Sequence, residues 1–179
     1  MRYVALLGSV NVDGSRLTMA ELREAFESEG LTQVETVVSS LNLLFLHEDR
    51  PSLGLEEKLQ MLLRARFGMR TMAAVRNKAE VDAAIARNPF AGEDGASSAQ
   101  TWFLDRDPDP AQFQVLVADQ ADFGPERLAT GARALYIDPN QAGKASRLSA
   151  PFIERRLQCR ATGRTLRDLA RIAARMDEK

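Results

Sequence analysis

The sequence predicts an α+β protein of two ferredoxin-like halves, each a βαββαβ unit plus a helix, with antiparallel sheets each covered by helices. Three observations carry that expectation. Residues 1–90 read as β-α-β-β-α-β-α, and residues 100–179 repeat the same order. Residues 91–99, rich in Gly, Ser, Ala and acid, read as a linker between the halves. The first helix is bounded by start and stop signals that agree with each other.

Taken in order, Arg2 to Leu7 reads as a strand, and residues 8–16 as a loop of small polar and glycine residues. Thr18-Met19-Ala20-Glu21 is a capping box, in which hydroxyl and carboxylate each satisfy a free backbone N–H. Leu17 and Leu22 stand at the hydrophobic-staple positions. Met19, Leu22 and Phe26 share a face, and Gly30 supplies a left-handed stop. Gln33 to Val38 and Leu43 to Leu46 read as strands, joined by Ser39-Ser40-Leu41-Asn42 as a hairpin turn. Pro51-Ser52 introduces a second helix with Leu55, Leu59, Leu62 and Leu63 at helical spacing, closed by Gly68. Arg70 to Val75 reads as a strand. A third helix starts at Asn77 with Glu80 in the capping-box position, turns Val81, Ala84 and Ile85 inward, and stops at Asn88-Pro89.

In the second half Thr101 to Leu104 is the first strand. Asp109 at the N-cap and Pro110 at the first helical position start a helix bearing Phe113, Leu116 and Val117. Glu126–Thr130 and Arg133–Ile137 can pair across Gly131. Ser149 to Leu157 is a helix with Phe152, Ile153 and Leu157 inward, and Arg160 to Gly163 a short strand. Thr165 and Asp168 cap a last helix with Leu166, Leu169, Ala170 and Ala173 inward, which leaves Arg167, Arg171 and Arg175 as an outward stripe.

Composition narrows the function classes. A chain of 179 residues buries about 70% of its unfolded surface and needs no disulfide or metal staple. The single cysteine, Cys159, has no internal partner, and with one histidine, His47, the chain offers no metal-ligand spacing. No apolar run approaches the ~20 residues that span a bilayer, and Val4 to Leu7 is too short for a signal peptide. The expectation is a cytoplasmic protein with no membrane partner, no cofactor and no metal. A net charge of -1 and an aromatic content of 6% argue against a nucleic-acid partner. Charge is nevertheless uneven: Lys144 to Lys179 carries ten basic and four acidic residues, a balance of +6 that leaves residues 1–143 at -7. Such asymmetry fits either an anion-binding end or arginines on solvated helix faces.

The motifs resemble a known family. Leu6-Leu7-Gly8-Ser9-Val10-Asn11-Val12-Asp13-Gly14, followed by Met19-Ala20-Glu21-Leu22-Arg23, is similar to the L-L-R-G-I-N-V-G-G…M-A-E-L-R signature of the bacterial family named domain of unknown function sixteen-ninety-seven. Ser39 to Phe45 is similar to its Q-S-G-N-V-V-F, and Asn88-Pro89-Phe90 to its N-P-F. Leu135-Tyr136 through Gly143 to Leu148 resembles L-Y-L…G-x-x-S-K-L, and Ala161 to Arg167 resembles A-T-T-R-N-W-R. The resemblance implies a two-part ferredoxin-like fold and no particular activity. Gly8, Ser9, Asp13, Ser39, Leu41 and Leu166 depart from the pattern, replacing Arg, Gly, Gly, Gln, Gly and Trp respectively.

Two residue sets are candidates for ligand binding. The first is Asn11, Ser15 and Arg16 of the opening loop with Ser40 and Asn42 of the hairpin, beside a helix N-terminus whose N–H groups favour anions. Asp13 opposes this, and Asn, Gly and Ser are also ordinary turn formers. The second is Lys144, Ser146 and Arg147 with Arg164 and Arg167, cations and a hydroxyl suited to phosphate or carboxylate, though not at P-loop spacing. His47 reads as a surface residue, Cys159 as a small buried hydrophobe, Trp102 and Phe103 as core, and Glu56-Glu57 as helix surface. The functional expectation is a binding or regulatory module for a small anionic ligand. The alternative is an enzyme acting on a phosphorylated or nucleotide-like substrate at the junction of the halves. Assembly into a homo-oligomer through edge strands stays open.

Overall fold

The structure is a computed structural model that describes residues 1–8, 11–12, 15–92, 98–140 and 146–178, with the backbone alone at 11, 12, 15, 16, 39 and 40. Among the described residues it forms two four-stranded antiparallel sheets, a two-stranded hairpin and six helices. The chain divides into two compact units, Met1–Asp82 with Arg171–Lys179, and Ala83–Ala170. The sequence expectation divides it at 91–99 instead. The two divisions differ at the helix that follows each βαββαβ run.

In the first unit β1 (Arg2–Leu7), β4 (Thr32–Val37), β5 (Ser39–Leu46) and β6 (Ala73–Asn77) pair in the order β4-β5-β1-β6, the ferredoxin-like arrangement. α1 (Met19–Ser28) and α2 (Ser52–Phe67) make the crossovers, α3 (Lys78–Ala86) starts in this unit, and β2 (Asn11–Val12) and β3 (Ser15–Arg16) form the small hairpin after β1. Tyr3, Ala5 and Leu7 share one face with Leu43, Phe45, Ala73 and Val75, and Leu22, Phe26, Leu55, Leu59 and Leu63 pack on it. Tyr3 stacks on Phe45 at 5.7 Å, and Phe26 meets Phe45 edge-on at 6.3 Å. The other face, with Val4, Leu6, Leu44 and Ala74, is also fully buried. That explains why β1 reads as a continuous apolar run rather than an alternation.

The second unit repeats the plan. β7 (Gln100–Leu104), β8 (Arg127–Gly131), β9 (Ala134–Asp138) and β10 (Ala161–Thr165) pair in the order β10-β7-β9-β8. Trp102, Leu104, Leu135 and Ile137 form its core with Leu116 of α4 (Pro110–Ala121) and Ile153 and Leu157 of α5 (Ala150–Leu157). Gly163 is obligatory: a Cβ there would collide with the Trp102 indole across the β7–β10 pair. Asp109 Oδ1 accepts the N–H groups of Ala111 and Gln112, as expected of an N-cap.

Four expectations need correction. Residues 39–42 are not a turn: β5 begins at Ser39, and Val38 alone joins the strands in a left-handed conformation with φ 63°. Asn42, buried inside β5, donates its Nδ2 to Val37 O at 3.1 Å and braces that tight reversal. The strand expected at Arg70 begins at Ala73 and runs to Asn77. In α6 (Leu166–Asp177) Ala170 is exposed, and the buried stripe is Leu166, Leu169, Ile172, Ala173 and Met176. Glu56 is not on the helix surface but 1% exposed, accepting from Arg76 and from the Val75 N–H at 3.2 Å.

The last turns of α6 join the first unit through charge. Arg175 reaches Glu35 at 3.5 Å, Asp177 reaches Lys78 at 3.5 Å, and Arg2 pairs with Glu35 at 2.6 Å. These pairs are partly exposed, so each adds little. Ile172, Ala173 and Met176 of the same segment are buried.

Candidate functional site

The register places only part of the first candidate set. Leu6 lies opposite Asn42, so the start of β5, with Ser40, flanks the end of β1, while Asn11 pairs with Arg16 in the separate hairpin that follows β1. Asn42, however, is occupied with Val37 O. The α1 N-terminus at this end is also occupied. Glu21 accepts the Thr18 N–H at 2.8 Å and the Thr18 hydroxyl at 2.6 Å, while Thr18 Oγ1 accepts the Glu21 N–H at 3.2 Å. The Thr18 hydroxyl, and then its N–H, hold the Glu21 carboxyl below its ordinary value. An incoming anion would meet a carboxylate there. Gly8 leaves no room for the larger residue of the family pattern, because a Cβ would lie 2.6 Å from Thr71 Oγ1.

The second set is divided. Gln100 lies opposite both Ile137 and Thr165, so the ends of β9 and β10 share one end of the second unit's sheet. Arg164 turns onto the face of Thr162, donating to Thr162 Oγ1 at 2.8 Å and to Gly163 O at 2.7 Å. Burial pushes its pKa down to about 10, against the attraction of Asp168. Arg147 lies over the Phe123 ring at 4.3 Å, beyond the end of α4 and so on the helix side. Ser146 Oγ accepts the Leu148 N–H at 3.2 Å within its own turn. Arg167 is exposed on the first turn of α6. Lys144 lies outside the described residues.

Cys159 is buried, and burial, helped by Asp105 and Glu154, pushes its pKa up to about 11, which leaves almost no thiolate at neutral pH. Among the described residues no group of three or more His, Cys, Asp and Glu side chains could hold a metal. No helix is long and apolar enough to cross a membrane, again among the described residues.

A groove that the sequence reading missed lies in the first unit at the start of α2. It has a volume of about 490 Å³ and is lined by Gly30, His47, Glu48, Arg50, Pro51, Gly54, Leu55 and Lys58. α2 has no side-chain cap at Pro51. The nearby groups that could supply one are directed elsewhere: the Ser52 hydroxyl donates to Glu80, and Glu56 turns to Arg76 and β6. Glu80 also completes the α3 capping box, accepting the Asn77 N–H at 2.8 Å. The start of α2 therefore lacks a side-chain cap, and its Pro51 and Gly54 line the groove with Arg50 and Lys58, the Gly54 N–H donating to Pro51 O at 3.1 Å. Lys58 Nζ donates to Glu29 O at 2.6 Å and lies 3.6 Å from the Glu29 carboxylate, and Arg50 pairs with Glu48 at 3.3 Å. The legible signal was Pro51, a residue with no side-chain acceptor, where a helix start ordinarily has Ser, Thr, Asp or Asn.

No curated protein matches the chain. Among solved structures it is similar to the conserved bacterial protein SP0830 from Streptococcus pneumoniae, with a TM-score of 0.70 and 18% identity over 99% of this chain and 98% of that one. That likeness is one of fold. The model of the family described as "Protein of unknown function (DUF1697)" matches residues 1–136, and the chain belongs to that family.

Proposed function

We propose that the protein is a binding module for a small anionic ligand, and that the groove at the start of α2 takes the anion. One observation carries the reading: a ligand-sized groove at the start of α2, a helix without a side-chain cap, is lined by the cations Arg50 and Lys58. A phosphate or carboxylate there would accept from one or both cations. Lys58 would exchange its contacts with Glu29, and Arg50 its pair with Glu48, for the ligand.

Calorimetric titration with inorganic phosphate, pyrophosphate and a nucleoside monophosphate tests this. Binding is expected to weaken at least tenfold in Arg50→Ala and in Lys58→Ala, while Arg147→Ala and Arg167→Ala bind as the parent does. Loss of binding in the latter two instead would move the site to the second unit. Absence of binding by every anion would remove the reading.

A further inference from the structure

An open sheet leaves two strand edges to be guarded, and the four edge strands of the two larger sheets are not alike. β4 is irregular along its length. Its pairing with β5 shifts register between Thr32 and Glu35 and again between Thr36 and Val37, and Gln33 is left-handed with φ 51°. Such irregularity turns an edge away from a neighbour. β6 and β10 are each met by a helix glutamate: Glu56 accepts the Val75 N–H at 3.2 Å, and Glu154 of α5 accepts the Ala161 N–H at 2.9 Å. β8 has no such guard among the described residues. It pairs with β9 through all five residues without a register shift, and it contains neither proline nor lysine.

The two-residue turn at Ala132-Arg133 closes on the pair Gly131–Ala134, so Arg127, Ala129 and Gly131 exchange backbone bonds with β9. Leu128 and Thr130 therefore turn their N–H and C=O groups outward. The strand is also complementary to itself. About a two-fold axis at Ala129, the middle of β8, an antiparallel copy sets Leu128 opposite Thr130 of the second chain, and backbone bonds run in both directions. Arg127, the one charged residue of the strand, falls opposite Gly131 of the second chain, so no like charges meet. We infer that the protein forms a two-fold dimer in which β8 pairs antiparallel with β8 of a second copy, joining their second-unit sheets. The pairing consumes the edge on both chains, so assembly stops at two. The dimer does not depend on an anion at the α2 groove.

Sedimentation velocity of the full chain tests this from about 1 μM to about 1 mM, the range expected of a small, transient interface. The mass should rise from 19.8 kDa towards twice that value and no further. Thr130→Pro removes an outward N–H and no bond to β9, so it should stay folded by circular dichroism and raise the midpoint concentration at least tenfold. Ala129→Cys sets two thiols across the axis in a non-hydrogen-bonded pair, with Cα atoms about 4.5 Å apart, and should oxidise to a covalent dimer. Thr130→Cys faces Leu128 instead of itself and should not, and the buried Cys159 adds no cross-link. A chain that stays monomeric and gives no Ala129→Cys cross-link overturns the dimer. Association that Thr130→Pro leaves unchanged, or a mass that climbs beyond two copies, places the contact elsewhere and overturns it too. Equal cross-linking of Thr130→Cys and Ala129→Cys overturns the register and its axis. Should Thr130→Pro fail to fold, the two cysteine variants still decide.

Discussion

α1 and α2 stand side by side on the same sheet, and their first turns are opposites. At α1 the chain supplies its own anion: Glu21 folds back on Thr18, and the capping box closes the helix start. At α2 the corresponding groups face away. Ser52 bonds Glu80, Glu56 bonds Arg76, and Pro51 at the N-cap has no acceptor to offer. The loop before α1 carries the family-like motif and invites a ligand by its sequence, yet its helix dipole is already compensated. The start of α2 carries no motif, yet it is the one of the two that opens to a groove bearing cations. A helix N-terminus is available for a ligand only after the local side chains have been accounted for.

The largest effect should come from Glu56. Glu56→Ala leaves Arg76, whose side chain is only 12% exposed, without its carboxylate. Chemical denaturation should show a loss of about 3–5 kcal/mol. The double variant Glu56→Met/Arg76→Met should recover most of it, and failure to recover would mean that the pair is not the reason for burying Glu56. Next, Pro51→Asp would give α2 the cap that it lacks. It should stabilise the fold by up to about 1 kcal/mol and lower anion affinity at least tenfold, read by denaturation and calorimetry on one sample. Unchanged affinity would break the contrast between the two helices.

Thr18→Ala removes the α1 cap and should cost about 1 kcal/mol, a midpoint lower by roughly 2–4 °C in a chain of this size. The smallest effect is the pH dependence of the same box. The folded Glu21 pKa lies below the unfolded one. The box therefore contributes fully above the ordinary carboxylate range, and its contribution is lost as pH falls through the folded pKa. NMR titration should show the Glu21 carboxyl rising towards its ordinary value in Thr18→Ala. An unmoved titration would contradict the hydrogen-bond origin of the shift.

Much of the fold was legible because its signals are local. The Thr18–Glu21 and Asn77–Glu80 boxes, the Asp109-Pro110 start and the glycine stops at Gly30 and Gly68 each act within a few residues, and each stands where expected. What failed depended on partners distant in sequence. Glu56 reads as surface because its neighbour Glu57 is exposed, but Arg76 lies 20 residues away across a strand. Asn42 reads as a turn former because its residue type favours turns, yet the reversal sits on Val38 and Asn42 braces it from inside the strand. Ala170 lies off the stripe because the buried face follows Ile172 and Met176, one turn further round.

The repeated ferredoxin-like order, the capping boxes and most of the apolar core are legible along the chain, since hydrophobic period and backbone hydrogen-bonding needs are written residue by residue. Which helix start goes without a side-chain cap is settled in three dimensions. That depends on where Ser52 and Glu56 find partners in other elements, and on α1 ending against α2 to leave the groove between them. Charge and hydrogen-bond satisfaction are properties of a three-dimensional neighbourhood, and no spacing along the chain encodes them.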